Sequence, residues 1–248
     1  MASTKGIGYG IAKELVKKNH KIFIGSRNSK NLEQALKELN HIQPGNSYGS
    51  ILDVNSFESI KNWVQEALKV FEFFDGILIN YGGPPTGKFL EFSDQIWQDT
   101  FQYMLLNPIR FLKYIHPYLR ENSSILFVTS FSVKEPVENL ILSNVFRGAI
   151  TALMKSLSKE WGPKIRLNCI LPGRIDTERI RQIDSEISKN TNKSTEEIKK
   201  MFEDQIPLKR YGNIEEIGKV GVFLLTEESS YITGCNLSVD GGLLRSLL

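Results

Sequence analysis

Apolar positions follow two alternating patterns along the chain. Short continuous apolar runs, such as the one that ends at Ser26 and Arg27, are typical of buried parallel strands. Longer stretches, such as residues 8–18, repeat apolar residues every three or four positions and predict amphipathic helices. Strands that alternate with helices form right-handed βαβ units around a parallel sheet. The pattern therefore predicts a doubly wound α/β fold.

Six strands and seven helical regions follow from this pattern. The predicted strands cover residues 21–27, 47–53, 75–83, 124–130, 165–173 and 235–242. The predicted helical regions cover residues 8–18, 31–40, 56–71, 93–119, 143–162, 177–205 and 213–226. We find no linker or internal repeat, so we expect one domain over residues 1–248.

Composition narrows the class of protein. The formal charge of +3 is too small, and the basic residues too scattered, to predict a nucleic-acid partner. The two cysteines are far apart and the three histidines lack ligand spacing, so we expect neither a disulfide nor a metal site. We find no signal peptide and no apolar stretch that would span a bilayer. These features predict a cytoplasmic protein that acts on a small molecule.

Ligands of doubly wound folds bind at the carboxyl ends of the strands, so functional residues are expected there. Those ends carry Ser26 and Arg27, then Asp53, then residues 80–83, then Ser130, then Pro172 and Gly173.

The first predicted helix is preceded by a glycine-rich turn, ASTKGIG, that contains Gly6 and Gly8. Glycine allows a phosphate to approach the backbone, and a helix N-terminus offers free N–H groups. The next strand ends in Arg27 rather than an acidic residue, and an arginine there favours a 2′-phosphate over a free ribose hydroxyl. Lys5 adds a second cation. The sequence thus favours NADP(H), the alternative being an ordinary turn with two solvated charges.

Several motifs together resemble the short-chain dehydrogenase/reductase family in its single-domain form. ASTKGIG is similar to the family's Thr-Gly-x-x-x-Gly-x-Gly loop, NYGG to its Asn-Asn-Ala-Gly turn, LPGRIDT to its Pro-Gly-x-x-x-Thr segment, and YITGCNLSVDGG to its tail. GGPPTGKFLE, and LSN followed by an arginine, are similar to an archaeal-type branch of dehydrogenases and acyl-carrier-protein reductases. The resemblance implies a Rossmann-like, three-layer fold and an oxidoreductase of the 3-oxoacyl-reductase kind.

The resemblance also implies which residues bind the cofactor. They are Ser3, Lys5, Gly6, Ile7, Gly8, Arg27, Asp53, Asn80, Gly82, Pro172, Gly173, Ile175 and Thr177. Among them Asp53 would contact the adenine and Thr177 the nicotinamide carboxamide. Thr177 can also cap the helix that follows it. In the family the region corresponding to residues 177–206 folds over the substrate as a helical lid.

The catalytic positions depart from the family pattern. The family's Tyr-x-x-x-Lys pair falls on Ser143 and Arg147, and its serine falls on Ser130. Its asparagine falls on Met104, with Asn107 one helical turn away. We take Ser130, Ser143 and Arg147 as the candidate catalytic residues.

The proton donor is the missing group. A serine hydroxyl is a weaker acid than a phenol, and an arginine does not give up its proton. Tyr81 and Tyr103 are candidate acids, although packing is the commoner role of such aromatic residues.

The chain opens without the central first strand of the family. Met1 falls where the family has a threonine, and Ala2 where it has the first glycine of its loop. Leaving out a central strand would expose backbone groups at about 1–3 kcal/mol each. We therefore expect the first strand to be missing from this chain and the natural product to begin one strand earlier.

Three functions remain open from the sequence. The first is an NADP(H)-dependent oxidoreductase acting on a carbonyl or alcohol, the second an NADP(H)-binding sensor or partner subunit without reductase activity, and the third a lyase or isomerase that uses Ser130 and Arg147. The last eight residues contain four leucines, which predict a buried tail and a homo-oligomer, by resemblance a tetramer.

Overall fold

The computed structural model describes residue 1 and residues 3–246; Ala2, Leu247 and Leu248, which enter the loop and tail expectations, lie outside the described residues. Six strands are present in the described chain: β1 (Ile22–Ser26), β2 (Ser47–Ile51), β3 (Phe74–Ile79), β4 (Leu119–Val128), β5 (Ile165–Pro172) and β6 (Asn236–Val239). The helices are α1 (Gly6–Lys17), α2 (Ser29–Ile42), α3 (Phe57–Leu68), α4 (Asp94–Phe101), α5 (Asn107–Ile115), α6 (Ile141–Glu160), α7 (Glu178–Lys189), α8 (Thr195–Gln205) and α9 (Ile214–Leu225).

All strand pairs are parallel, which confirms the predicted α/β class. The strands form two parts, one with β1 beside β2 and one with the order β3-β4-β5-β6. Within the described chain, β1 and β3 each pair on one edge only. At the carboxyl ends of these strands, the Met1 amino group donates to the Leu78 carbonyl at 2.8 Å and the Ser3 amide donates to the Gly25 carbonyl at 3.1 Å. The first residues thus contact both parts.

Helices cover both faces of the strands, as in a doubly wound fold. Ile125 and Phe127 of β4 belong to one apolar cluster with residues of α3, α5 and α6. Leu126 and Val128 point to the opposite face and pack with α1 and α9. This strict alternation along β4 follows from the two-residue period of a strand. It explains why the strand is apolar at every position from 125 to 128.

Helices α1 and α9 pack so closely that no side chain fits between their backbones at Gly10. A Cβ atom at Gly10 would lie 2.3 Å from the carbonyl oxygen of Ile214. Only glycine fits there without displacing backbone, so Gly10 fixes the position of α1 and therefore of the loop that precedes it.

Three elements differ from the sequence expectation. The predicted helix over residues 93–119 is interrupted by a π-helical turn, Gln102–Leu106, and strand β4 already begins at Leu119. Strand β2 ends at Ile51, so Asp53 follows it by two residues. The charged region from Thr177 to Gln205 is helical as expected, but it is interrupted between α7 and α8.

Among the described residues, no helix is both long enough and apolar enough to cross a membrane.

Candidate active site

A large cavity lies at the carboxyl ends of the strands, where the fold class predicts a ligand site. Its volume is about 1440 Å³. The loops after β1, β3, β4 and β5 line it, together with the start of α1, one turn of α6 and helix α7. Such a volume exceeds the range of about 300–1,000 Å³ that is common for small-ligand sites, and it suits a dinucleotide together with a substrate.

Most of the predicted site residues line this one cavity. They are Lys5, Gly6, Ile7, Arg27, Asn80, Gly82, Ser130, Ser143, Arg147, Pro172, Gly173, Ile175 and Thr177. Ser3, Gly8 and Asp53 are not among the lining residues, although their neighbours Thr4, Ile7, Leu52 and Val54 are. Residues far apart in sequence are therefore brought together by the strand order.

The loop before α1 has the geometry of a phosphate cradle. Gly6 has a φ of +58°, a left-handed conformation that favours glycine, and it is the first residue of the helix. The preceding Lys5 is extended, and the first turn of α1 contains no acidic residue. Free N–H groups at this helix end can therefore donate to an anion that enters the cavity. These residues fit the pyrophosphate of a dinucleotide.

Of the two cations expected near a 2′-phosphate, Lys5 forms an ion pair within the protein and Arg27 does not. The Lys5 ammonium is 3.1 Å from a carboxylate oxygen of Glu178, the first residue of α7, and both side chains are exposed. Arg27 is exposed at the cavity edge and makes no hydrogen bond or ion pair with any other described residue. Arg27 is thus the cation that an incoming phosphate could use without breaking an existing contact.

Asp53 takes part in a local turn. Its backbone amide donates to the Ser59 hydroxyl at 2.9 Å, and its carboxylate accepts from the Asn55 amide at 3.1 Å. These bonds hold the carboxylate close to the backbone, so a contact between Asp53 and the adenine stays a prediction.

The candidate catalytic residues meet on α6 and at the end of β4. Ser143 and Arg147 lie one helical turn apart, and the Arg147 Nε donates to the Ser143 Oγ at 3.1 Å. The Arg147 Nη1 donates to the carbonyl oxygens of Val128 and Thr129, at 3.0 and 2.8 Å. Arg147 is therefore anchored beside Ser130, the next residue of the chain. The guanidinium is buried, with 9% of the residue exposed.

Several donors of this cluster remain available to a ligand. The Ser130 hydroxyl accepts from the Ser132 amide at 3.1 Å, and the Ser143 hydroxyl accepts from Arg147, so each hydroxyl hydrogen can still be donated. The Arg147 Nη2 makes no hydrogen bond with any described residue. All three residues line the cavity, so each of these groups could donate to a ligand there.

The two tyrosines proposed as acids differ in position. Tyr81 lines the cavity; its ring centre is 5.8 Å from the Arg147 guanidinium carbon, and its buried hydroxyl has no partner among the described residues. Burial raises the pKa of Tyr81 well above its usual range, although Arg147 opposes the shift. Tyr103 does not line the cavity, and burial raises its pKa as well. Both phenols stay protonated at neutral pH, and neither is activated as an acid.

Asn107 serves the fold rather than the cavity. Its side-chain amide donates to the carbonyl oxygens of Val54 and Asn55, at 2.9 and 3.0 Å, and accepts from Gln102 at 2.9 Å. Asn107 is fully buried and directly follows the π-helical turn. Met104, at the family's asparagine position, is also buried in the core.

Helix α7 covers part of the cavity. Thr177 caps it, with its Oγ accepting from the Ile180 amide at 3.4 Å, as the sequence predicts. Two arginines of this region were missed by the sequence interpretation. The Arg179 guanidinium donates to the Pro84 carbonyl at 3.0 Å, and Arg174 contacts the Asp184 carboxylate at 2.5 Å. A signal was present for both, since Arg174 lies within the PGRIDT motif and Arg179 two residues after it.

Known proteins share both the sequence pattern and the fold. The family model described as enoyl-(acyl carrier protein) reductase matches residues 1–244. Tropinone reductase-like 3 from Erythroxylum coca is 28% identical over 242 residues, which are 97% of this chain and 90% of that protein. NADPH-dependent reductase BacG from Bacillus subtilis (strain 168) is 28% identical over 257 residues, covering 100% and 97%.

A solved structure agrees with this assignment. The crystal structure of L-sorbose reductase from Gluconobacter frateurii, complexed with NADPH and L-sorbose, superposes with a TM-score of 0.92 at 26% identity. The match covers 99% of this chain and 95% of that one. Since the family model spans nearly the whole chain and the fold agrees with it, this chain belongs to the short-chain dehydrogenase/reductase family.

Proposed function

We propose that this protein is an NADP(H)-dependent oxidoreductase that reduces a carbonyl, or oxidises the corresponding alcohol, with an altered catalytic pair. The observation that carries the proposal is a single cavity that joins the phosphate cradle at Gly6 to the donors of Ser130, Ser143 and Arg147. The family model that matches the chain is described as a reductase, and NADPH-dependent relatives such as BacG support the choice of cofactor.

The cofactor is assigned to the part of the cavity between the start of α1 and the loops after β3 and β5. The start of α1 would hold the pyrophosphate, and Arg27 the 2′-phosphate. Asn80, Gly82, Pro172, Gly173, Ile175 and Thr177 would line the nicotinamide end. The chemistry that NADPH would supply when held by these residues is the donation of a hydride to the carbonyl carbon.

The chain's own residues would stabilise the charge that develops on the carbonyl oxygen. The hydroxyls of Ser130 and Ser143 and the Arg147 Nη2 can donate to this oxygen. Fixed donors in a buried site stabilise an alkoxide more than the neutral carbonyl, which lowers the barrier. Arg147 stays charged, so the proton would reach the oxygen from solvent through a serine hydroxyl.

A fluorescence titration with NADPH, followed by an assay of NADPH oxidation with a broad carbonyl panel, tests the proposal. We expect saturable binding and turnover of at least one carbonyl. A protein that does not bind NADPH would contradict the cofactor assignment. Binding without turnover across the panel would contradict the reductase assignment.

The second candidate function is an NADP(H)-binding sensor or partner subunit. One observation favours it: the Arg147 Nε and Nη1 are already engaged by Ser143 and the end of β4, as expected of a structural residue. Restoration of the family pair, Ser143→Tyr with Arg147→Lys, separates the two. A gain of carbonyl reduction in a pocket that otherwise shows none would favour the binding protein.

We further propose a cytoplasmic homo-oligomer, by family resemblance a tetramer. Cys169 and Cys235 are free thiols, as is usual in a reducing compartment. Large apolar side chains are exposed on α4 and α6, as expected of a surface that contacts another subunit.

A further inference from the structure

Besides Arg27 at the cavity edge, two guanidinium groups of the cavity, those of Arg147 and Arg179, have no carboxylate partner among the described residues. Arg147 is bonded only to a hydroxyl and two carbonyls, and Arg179 only to the Pro84 carbonyl. Two other cations along the same wall are paired, Lys5 with Glu178 and Arg174 with Asp184. Partly buried charges without a partner are costly, so an anionic ligand would be stabilised here.

The side chain of Arg179 connects helix α7 to the loop after β3. Arg179 is the second residue of α7, and its Nη2 reaches the Pro84 carbonyl in the loop after β3. A Cβ atom at Gly83 would lie 3.4 Å from the Arg179 Nε, so the guanidinium lies against this glycine. The contact fixes the side chain and leaves the remaining N–H groups for a ligand.

The acidic residues that line the cavity do not neutralise these two charges. Glu91, Glu138, Glu178 and Glu186 are all exposed at its edge. Glu178 is paired with Lys5, and Glu186 accepts from the Thr86 hydroxyl at 3.3 Å. Solvent screens exposed charges much more than buried ones. The interior of the cavity is therefore positive.

The electrostatics of Arg147 agree with this picture. Burial is the largest cause that lowers the pKa of Arg147, and the positive charge of Arg179 lowers it further. Arginine remains protonated in proteins, so the two positive charges persist together. A negative ligand between α7 and the loop after β3 would relieve the repulsion.

We propose that the substrate is an oxo acid whose carboxylate binds Arg179 while its carbonyl oxygen lies at Ser130 and Arg147. This assignment rests on the proposed reductase function and adds the class of its substrate. One guanidinium fork matches one carboxylate with two parallel hydrogen bonds. The single positive charge of Arg179 is balanced by one carboxylate, whereas a phosphate dianion carries more negative charge than this one guanidinium neutralises, so a carboxylate is favoured.

The first test compares 2-oxo and 3-oxo acids of increasing chain length, each beside its uncharged methyl ester. We expect kcat/KM to favour the acids at least about tenfold, and Arg179→Gln to abolish that preference with a loss of about 10- to 100-fold on acids only. Arg181→Gln is the matched control, because Arg181 lies on the same helix but is exposed and paired with Asp176. It should leave the preference unchanged.

A second readout does not depend on turnover. Saturation-transfer NMR with hexanoate and hexanamide should detect the acid only, and Arg179→Gln but not Arg181→Gln should remove its signal. If no carbonyl is reduced, the reductase function fails and this binding test alone decides the anion site. Three results would overturn the proposal. The first is equal kcat/KM for acids and esters together with hexanoate binding that does not depend on Arg179, and the second is a preference for phosphorylated carbonyls. The third is a loss of NADPH affinity in Arg179→Gln as large as its loss of kcat/KM on acids.

Discussion

Arg147 makes structural contacts and is also proposed to contact the ligand, and a substitution must separate these two roles. Its Nη1 joins the carbonyls of Val128 and Thr129, which fixes the end of β4, whereas its Nη2 is left for the ligand. A lysine, the family residue at this position, offers a point charge rather than a planar fork. Arg147 thus occupies the position of the family lysine, but its hydrogen-bond donors have a different geometry.

Replacement of Arg147 by methionine, which keeps much of the volume, should lower kcat by about 10²- to 10³-fold. The reason is that a donor to the developing alkoxide acts mainly in the transition state, so NADPH affinity should change much less. Thermal unfolding must be measured in parallel, because two β4 carbonyls lose their donor. Loss of NADPH affinity with unchanged kcat would instead identify Arg147 as a cofactor-holding residue.

Arg27 should determine the choice between the two nicotinamide cofactors. Arg27→Asp should weaken NADPH binding by about 10- to 100-fold, since a charge-assisted contact with the 2′-phosphate is worth about 1.5–3 kcal/mol. NADH binding should be retained or improved. Lys30→Asp makes the same charge change on exposed α2 outside the cavity and should have little effect. Equal affinities of the unmutated protein for NADPH and NADH would contradict the prediction.

Site residues could be predicted where a motif fixes the backbone. Gly6 and Thr177 have the conformations that their motifs require, a left-handed turn and a helix cap. Arg179 was missed because its role depends on Pro84, 95 residues earlier, and no local pattern reports such a contact. Asn107 was considered near the catalytic asparagine, but its amide is bound to the loop after β2. Side-chain direction in a π-helical turn does not follow from helical spacing.

At the scale of elements, a buried cluster holds helices α7 and α8 against the end of β5. The Arg174 guanidinium contacts Asp184 of α7, lies 3.1 Å from the centre of the Phe202 ring on α8, and is 3.1 Å from the Tyr211 hydroxyl. Tyr211 donates to the other Asp184 oxygen at 2.9 Å. The side chains of Arg174 and Asp184 are only 12% and 4% exposed, so solvent screens the pair little.

Removal of one partner should loosen the packing of α7 and α8. Asp184→Ala should lower the free energy of unfolding by about 3–5 kcal/mol, because it leaves a buried arginine unpaired. Limited proteolysis should then cut first within residues 177–206. Asp176→Ala breaks the nearby exposed pair with Arg181 and should cost at most about 1 kcal/mol. Similar losses for the two variants in denaturant unfolding would contradict a structural role for the cluster.

The order and type of the elements could be predicted from the sequence more accurately than the residues at which they begin and end. All six predicted strands are present, because runs such as residues 125–128 are apolar on both faces, which is typical of a strand covered on both sides. The break at Gln102–Leu106 could not be predicted, since the apolar positions continue through it. The division into α7 and α8 has a local signal in Ser194, which caps α8 with Glu197 in a capping box.

At the scale of the whole molecule, several large apolar side chains on or next to helices α4 and α6 are exposed. Phe89 and Leu90 precede α4 and are 62% and 92% exposed, Phe101 at the end of α4 is 42% exposed, and Val145 on α6 is 45% exposed. Trp97 of α4 packs against Phe146 of α6, so these two helices lie side by side. Clustered apolar surface of this kind marks interaction sites in proteins.

This surface, rather than the leucine tail alone, should hold the subunits together. Light scattering of the unmutated protein should give a mass near four times 28.2 kDa, and Val145→Arg should shift it towards a smaller species, because it places a charge in a desolvated contact. Val70→Arg makes the same change at a position that is 40% exposed just after α3, away from α4 and α6, and should leave the mass unchanged. A mass near 28.2 kDa for the unmutated protein would show that no oligomer forms. An oligomer unaffected by Val145→Arg would place the interface elsewhere, and truncation before Leu243 would then test the tail.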